Sequence, residues 1–175
     1  MSTEDDRLYI QKAAEQGDAM SQFLLGLLYF TGEGVIKDCA KAAEWFNKAA
    51  EQGNVQAQAK LGLFYLAGQG VPKDQAKSFE WFSKAAKQGD ARSQFYVGLA
   101  YDASEDKAKA AEWYGKAAEQ GDADAQFELS FLYIKGQGVP EDIEKAKALL
   151  IMSAAQGNAK AREVLEKARE LLEKA

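Results

Sequence analysis

Apolar residues recur along the chain with the spacing of amphipathic helices, and the same arrangement returns at a nearly fixed interval. Positions i, i+3, i+6, i+7 and i+10 fall on one helical face. In the first two copies they hold Ala19, Gln22, Leu25, Gly26 and Tyr29, then Val55, Gln58, Leu61, Gly62 and Tyr65. A second apolar face follows, beginning with Ala42, Trp45, Phe46, Ala49 and Ala50. The pattern predicts pairs of helices, which we name helix A and helix B.

A short sequence ending in Gln-Gly closes each pair. Its glycines are Gly17, Gly53, Gly89, Gly121 and Gly157, at steps of 36, 36, 32 and 36 residues. Such periods are typical of stacked units that share a continuous core. We therefore predict one domain with a half-repeat at 1–17, repeats at 18–53, 54–89, 90–121 and 122–157, and a final helix at 158–175. The two ends are expected to be polar caps, with i, i+4 pairs at Glu163/Lys167 and Glu170/Lys174.

Residue types that begin and end helices recur at matching positions. The residues expected to cap helix N-termini are Asp18, Asn54, Asp90, Asp122 and Asn158 for helix A, and Asp38, Asp74, Asp106 and Asp142 for helix B. Gly-x-Gly-Val joins the two helices in three repeats. A phosphate-binding loop is an alternative for this motif, but no strand precedes it, so we favour a C-terminal helix cap with Val between the helices. Glycines in the middle of helix A, Gly26, Gly62 and Gly98, predict close approach of a neighbouring helix.

Aromatic residues repeat at one position of helix B. Trp45, Trp81 and Trp113 occupy it in the first three repeats. A cofactor pocket or a cage for methyl-lysine is one interpretation of such a stripe. Because the same ring recurs at the same helical position, we predict instead that all three tryptophans belong to the core.

The composition excludes several classes of function. A net charge of −5 disfavours binding to nucleic acid or anionic lipid, and no apolar run approaches the roughly 18 residues of a membrane span. The chain has no histidine, so the commonest general base and the commonest metal ligand are missing. Its one cysteine, Cys39, suits a reducing compartment. We expect a monomer that is not an enzyme and uses no cofactor or metal. We expect it to be cytoplasmic, the alternative being a secreted or periplasmic protein from which a signal peptide has been removed.

The repeated columns resemble the Sel1-like repeat, a relative of the tetratricopeptide repeat. The matching pattern is Ala-x5-Leu-Gly-x2-Tyr-x2-Gly-x-Gly-Val-x2-Asp-x3-Ala-x2-Trp-Phe-x2-Ala-Ala-x2-Gly, from Ala19 to Gly53 and again from Val55 to Gly89. The resemblance implies an all-α fold, a right-handed α-solenoid of stacked antiparallel helix pairs with helix A on the concave surface. It also implies an adaptor or scaffold role, with themes that include quality control, envelope assembly, host interaction and neutralisation of toxins. Cysteine-rich relatives proposed to act on β-lactams have paired cysteines that this chain lacks.

Two repeats depart from the pattern. The third runs from Ser104 directly to Glu105 without the Gly-Val part of the turn, which predicts a weaker link there. The fourth has Leu149-Leu150 in place of the aromatic pair, as if its last helices met a different neighbour.

Helix A has a second face that stacking within the repeat does not use, and it is our candidate for binding a protein or peptide. The candidate residues are Met20, Phe23, Leu27, Phe30, Gln56, Leu63, Leu66, Arg92, Phe95, Leu99, Asp102, Asp124, Phe127, Phe131, Ile134 and Lys135. Phe23, Phe95, Phe127 and Phe131 are the expected anchors, whereas Arg92, Asp102 and Asp124 are expected to set orientation. The alternative is that some of these positions pack against the next repeat.

A protein-interaction scaffold is therefore the predicted function. The alternatives are a designed or purely structural array without a natural ligand, and a bacterial immunity protein that neutralises a toxin.

Overall fold

The computed structural model describes residues 3–173, which form ten helices and no strand. The helices are α1 (Thr3–Glu15), α2 (Ala19–Thr31), α3 (Cys39–Glu51), α4 (Val55–Ala67), α5 (Gln75–Lys87), α6 (Ala91–Ala103), α7 (Lys107–Glu119), α8 (Ala123–Lys135), α9 (Ile143–Ala155) and α10 (Ala159–Glu173). The predicted all-α repeat fold is confirmed. The even-numbered helices from α2 onward are the A helices, and the odd-numbered helices are the B helices.

The predicted N-terminal caps are present. The Asp18 carboxylate accepts a hydrogen bond from the Ser21 amide at 2.7 Å, and the Asn54 side chain accepts one from the Ala57 amide at 2.9 Å. The same geometry recurs at the other helix starts for which the cap is described, namely Asp38, Asp74, Asp106, Asp122, Asp142 and Asn158. Each cap satisfies amides that have no partner inside the helix, which fixes where the helix begins.

The turns between A and B helices depend on left-handed backbone. Gly32, Gly68 and Gly136 end their A helices with φ of 83°, 71° and 60°, which confirms the predicted C-caps. In the shortened third turn no glycine is available, and Glu105 takes this conformation with φ of 63°. The Lys107 ammonium closes that turn by donating to the Asp102 carboxylate at 3.1 Å and to its carbonyl at 3.2 Å.

Each mid-helix glycine makes room for an aromatic ring of the next B helix. A Cβ on Gly26 or Gly62 would lie 2.6 Å from the ring of Phe46 or Phe82, respectively. On Gly98 it would lie 2.5 Å from the ring of Tyr114. The predicted close approach is therefore confirmed, and the neighbour is helix B of the same repeat.

The chain divides into two compact units, residues 1–90 and 91–175, each with its own core. In the first unit, Phe46 lies between Phe23 and Phe64, at ring-centroid distances of 5.7 and 5.3 Å. In the second unit, Tyr114 packs with alanines of α7 and leucines of α8. A smaller cluster joins Phe127, Leu150 and Ala161 at the start of α10.

The tryptophan prediction was correct for one residue of the three. Trp81 is 8% exposed and belongs to the core. Trp45 and Trp113 are half-buried, and the ammonium groups of Lys48 and Lys116 lie 3.9 and 4.2 Å from their ring centroids. Each lysine follows its tryptophan by about one helical turn, so its ammonium group lies over the ring and makes a cation–π contact.

Glutamines connect the helices through a repeated hydrogen-bond network. Gln58, 4% exposed, donates from Nε2 to the Ala50 carbonyl at 3.1 Å, and thus ties α4 to α3 of the preceding repeat. Its Oε1 accepts from Gln88 at 2.8 Å, and Gln88 also donates to the Gly53 carbonyl at 3.2 Å. Gln22, Gln52, Gln126 and Gln156 repeat the arrangement. The Gln of the closing Gln-Gly sequence is therefore a structural link.

At the C-terminal end, the predicted pair of Lys167 and Glu163 is present with a separation of 2.5 Å. The pair predicted for Glu170 and Lys174 lies outside the described residues, because Lys174 is not among them.

Candidate interaction surfaces

Three of the four predicted aromatic anchors are core residues. Phe23 and Phe95 are each 7% exposed, and Phe127 is 9% exposed. Phe95, for example, stacks 5.9 Å from the ring of Tyr114. Phe23 and Phe95 face the B-helix rings of Phe46 and Tyr114, and Phe127 packs with Leu150 and Ala161. All three are packing residues, although Phe23 and Phe95 contact a ring of their own repeat and not of the next one. This burial corrects the prediction that they offer contact area to a partner; the fourth, Phe131, is half-buried.

The first unit instead presents an exposed apolar patch on its A helices. Met20 is 52% exposed, and Leu24 and Leu66 are each 36% exposed. Half-buried residues of the same helices complete what we call the first-unit surface: Met20, Leu24, Leu27, Phe30, Leu63 and Leu66. Leu24 was not among the predicted residues. The sequence offered one signal for it: Leu24 is aliphatic at a position where the other A helices have Lys60, Tyr96 and Glu128. Gln56, also predicted, is exposed beside this patch.

Two lysines flank the half-buried ring of Phe30. The ammonium groups of Lys37 and Lys60 each lie 5.7 Å from its centroid. The ring also lies 5.6 Å from Phe64 in the core, so its position is fixed from below. The first-unit surface therefore combines apolar area with positive charge at one side.

In the second unit, two of the predicted charged residues, Arg92 and Asp124, pair with each other, whereas Asp102 pairs with Lys107. The Arg92 guanidinium lies 2.7 Å from the Asp124 carboxylate and 3.3 Å from that of Asp122. Burial acts to lower the pKa of Arg92, but hydrogen bonds and attraction from these carboxylates outweigh it and raise the pKa. Asn158 donates to Asp124 at 3.0 Å. Arg92 and Asp124 thus link successive repeats, in addition to any role in recognition.

A half-buried carboxylate, Glu128, was missed by the sequence prediction. Burial raises its pKa, and the nearby carboxylates of Asp102 and Asp124 add to the effect, whereas Lys160 and Lys135 oppose it. Among the described residues no cation lies close enough to form an ion pair with it. The remaining predicted residues of this face are Leu99, Phe131 and Ile134, which are half-buried, and Lys135, which is exposed.

Helix α9 differs from the other B helices on its outer side. Ile151 and Met152 are 50% and 49% exposed, where α3 has Asn47 and Lys48. Met152 also lines a cleft of about 200 Å³ with Gly115 and Leu149. The replacement of the aromatic pair by Leu149-Leu150 predicted that the last helices meet a different neighbour. The structure shows in addition that the outer side of α9 carries this exposed apolar stripe.

Residues 3–173 contain neither a cluster of metal-ligating side chains nor a candidate membrane span. No group of three or more acidic or cysteine side chains there is placed to hold a metal ion. No described helix has the length and apolarity needed to cross a bilayer.

Comparison with known proteins places the repeats in a family. The Sel1 repeat pattern matches residues 7–18, 19–54, 55–90, 91–122, 123–158 and 161–175. The structure of c5321, a protective antigen of uropathogenic Escherichia coli, is 38% identical with a TM-score of 0.84 over 89% of this chain and 34% of that one. A Sel1 repeat protein from Oxalobacter formigenes is 40% identical, with a TM-score of 0.83 over 93% of this chain and 48% of that one.

A more distant likeness is to Helicobacter pylori cysteine rich protein B, at 29% identity and a TM-score of 0.51 over 53% of this chain and 70% of that one. No curated protein matches the chain. The chain spans between a third and a half of the length of the Escherichia and Oxalobacter proteins. The repeat pattern and the matching folds agree along nearly all of the sequence, and the chain belongs to the Sel1 repeat family.

Proposed function

We propose that this chain is a non-enzymatic interaction scaffold that binds a protein or peptide segment on the A-helix face, the face that the resemblance to Sel1-like repeats implies to be concave. Sel1 repeat proteins are generally protein-interaction scaffolds. The observation that carries the proposal is the first-unit surface, where Met20, Leu24 and Leu66 leave apolar side chains exposed on the A helices, one of which also carries the fixed ring of Phe30. Exposed apolar area of this kind is typical of interaction sites.

The occupant we propose is a segment with apolar anchors and acidic residues. An amphipathic helix or an extended peptide would place its apolar side chains between α2 and α4. Acidic residues beside them would meet Lys37 and Lys60, which flank Phe30. The charges would favour correct orientation and faster association more than affinity.

The test is capture of partners from a cell extract by the wild type and by a Met20→Glu, Leu66→Glu double variant. Both side chains are exposed, so circular dichroism and the melting temperature should change little. We expect the captured partner to bind the double variant at least about tenfold more weakly, because two apolar contacts are replaced by charge. Ile151→Glu on α9 is the matched control, since Ile151 is similarly exposed on a B helix. Loss of binding in the control alone would place the site on α9 and contradict the proposal.

A further inference from the structure

The second unit contains a cleft of about 200 Å³ between α7 and α9, which α8 also lines. Much of its lining is apolar, with Ala111 and Ala118 from α7, Leu129 from α8, and Leu149 and Met152 from α9. The two alanines and Leu129 are buried, whereas Met152 is 49% exposed. The cleft therefore runs from the core to the surface, and none of its lining residues belongs to the first-unit surface.

In the first unit a tryptophan ring occupies the equivalent place. Trp81 of α5 is buried in the cluster that α3 and α4 form. Leu149 of α9 has the position of Trp81 in the repeat, and it packs against the cluster that α7 and α8 form. The buried alanines and leucine of the cleft have counterparts in the cluster of Trp81, namely Ala43, Ala50 and Leu61. Because leucine is much smaller than an indole ring, the missing ring leaves this space.

The lysine that covers the tryptophan ring is replaced as well. Lys84 lies over Trp81, with its ammonium group 4.0 Å from the ring centroid. In α9 the same position holds Met152, whose thioether makes favourable contacts with aromatic rings. Helix α9 has therefore lost both its own ring and the charge that would cover it, and an adaptable apolar side chain lies at the edge of the cleft.

Gly115 lines the cleft and is a glycine within a helix for which packing gives no reason. Gly62 and Gly98 each lie against an aromatic ring, whereas a Cβ on Gly115 would have no packing neighbour within 4 Å among the described residues. Glycine lowers helix stability relative to alanine, and it is favoured where the backbone comes close to a ligand. The equivalent positions of the other long B helices hold Asn47, Ser83 and Ile151. Gly115 therefore indicates an occupant that lies against the backbone of α7.

The polar groups of the cleft fit an N–H donor. The Lys145 ammonium lies 4.6 Å from the ring centroid of Tyr133, so it is held by that ring. Glu119 also lines the cleft and acts on Lys145 as a charge, but it forms no ion pair among the described residues. Its carboxylate can therefore accept a hydrogen bond from an occupant. The indole of tryptophan has one N–H and no acceptor.

We propose that this cleft is a second binding site, which accepts the indole ring of a tryptophan side chain on a partner protein. An apolar cavity of about 150 Å³ takes up benzene, so the volume of about 200 Å³ leaves room for two fused rings. The ring lies against the backbone of Gly115 and the side chains of Leu149 and Met152, and its N–H donates to Glu119. Tryptophan buries a large apolar area for one side chain, and for this reason it commonly anchors protein interfaces.

The experiment titrates indole into the full chain labelled with ¹³C at its methionine methyl groups. Met152 lines the cleft, whereas Met20 is exposed on the first-unit surface and reports adsorption to other apolar side chains. We expect a large, saturable ring-current shift of the Met152 methyl resonance and little change at Met20. Equal shifts at the two methionines, or no shift at Met152, would overturn the proposal.

Peptides test whether the occupant is a tryptophan side chain. The acetylated and amidated peptide Gly-Gly-Trp-Gly-Gly should shift the Met152 resonance in the same direction as indole. Peptides with phenylalanine or leucine in place of tryptophan should displace indole at least about threefold less well, because they bury less apolar area and lack the N–H. If indole binds but the tryptophan peptide does not, the cleft takes a free aromatic compound and the proposed occupant is wrong. An equally tight phenylalanine peptide would also contradict it.

Two variants close the cleft. Leu149→Trp restores the ring of the other repeats, and Gly115→Leu places a side chain in the open space beside α7. Each should raise the dissociation constant of indole at least about tenfold, because the side chain takes the place of the ligand. Gly115→Leu should melt no lower than the wild type, since leucine favours a helix more than glycine does. Loss of binding in it is therefore not loss of folding.

Asn47→Leu is the matched control for Gly115→Leu. Asn47 has the same helix position on α3 and lines a separate opening of the first unit. This variant should leave the dissociation constant of indole and the shift of Met152 unchanged. Wild-type affinity in both Leu149→Trp and Gly115→Leu would show that the cleft is not the binding site.

This proposal and the A-helix proposal fail in different ways. The Met20→Glu, Leu66→Glu variant should keep the response of Met152 to indole. If that variant loses its captured partner while indole does not bind the wild type, only the cleft proposal is wrong. If indole and the tryptophan peptide bind and the captured partner ignores changes on the first-unit surface, the A-helix proposal is wrong and the cleft proposal stands.

Discussion

At the residue scale, Glu105 carries the clearest local strain. Its φ of 63° lies in a region that glycine occupies without steric cost. Glu105→Gly should therefore stabilise the fold by about 1 kcal/mol, even though the 3.4 Å contact of its 82% exposed side chain with Lys107 is lost. The measurement is the urea midpoint at constant m-value. Glu44→Gly, in an exposed helical position, is the control and should cost about 1 kcal/mol. If the Glu105→Gly variant were less stable than the wild type, the backbone of Glu105 would not be strained.

Glu128 predicts a pH-dependent effect on stability. Burial raises the pKa of its carboxyl group in the folded state, so the protonated form is favoured on folding. Its contribution to stability is complete below the unfolded pKa of about 4.3 and is lost as pH rises through the folded pKa. Glu128→Gln removes this loss. The free energy of unfolding of the variant, relative to that of the wild type, should therefore increase from pH 3 to pH 7. Denaturant titrations at several pH values measure the difference, with exposed Glu141→Gln as control. A difference that shrinks with rising pH would refute this assignment.

At the scale of helices, the glutamine network is expected to contribute to the free energy of unfolding, although its side chains are polar. Gln58→Leu keeps most of the volume but leaves the amide of Gln88 and the carbonyl of Ala50 without this partner. We expect a loss of about 2 kcal/mol, because buried polar groups then lack hydrogen bonds. Gln56→Leu, on the exposed side of the same helix, should change stability by less than about 0.5 kcal/mol. Equal midpoints for the two variants in denaturant would mean that the network contributes nothing.

The elements themselves were largely predictable, since their signals are local. Aspartate or asparagine before most helices, for example α2, α4 and α8, and glycine after these three act within one helical turn, and the structure confirms them. The mid-helix glycines also predicted packing. Glycine within a helix lowers its stability relative to alanine, so Gly62 indicates that a neighbouring helix lies too close for a side chain.

Exposure was harder to predict, because it depends on a neighbouring helix. Phe23 shares the A-helix face with the exposed Met20, yet the ring of Phe46 covers it. Trp45 has the same helical position as Trp81 but remains half-buried. Glu128 looks like an ordinary surface residue in the sequence, and its half-buried position and raised pKa follow only from the packed structure. The candidate sites could therefore be identified only from the packed structure, whereas the repeats could be identified from the sequence.

At the scale of the whole molecule, the two units should respond separately to damage. Repeat proteins gain stability from each unit and its nearest neighbours. Gly62→Val would drive a side chain into the Phe82 ring, which lies 2.6 Å from the position of a Cβ. We expect hydrogen exchange to speed up mainly in residues 3–90. Gly98→Val, against Tyr114, should have its main effect in residues 91–173. Equal loss of protection throughout in both variants would show a single cooperative unit.

The contact between each mid-helix glycine and its aromatic ring also limits how such genes can recombine. Gly62 is matched to Phe82 and Gly98 to Tyr114, while the fourth repeat has Ser130 together with Leu150. An unequal crossover that joined α8 to α5 would bring the side chain of Ser130 against the ring of Phe82, where even a Cβ is too close. A crossover between complete repeats would keep each matched pair. Duplication and loss of repeats should therefore leave breakpoints near the Gln-Gly ends of the B helices, and rarely in the turn that follows an A helix.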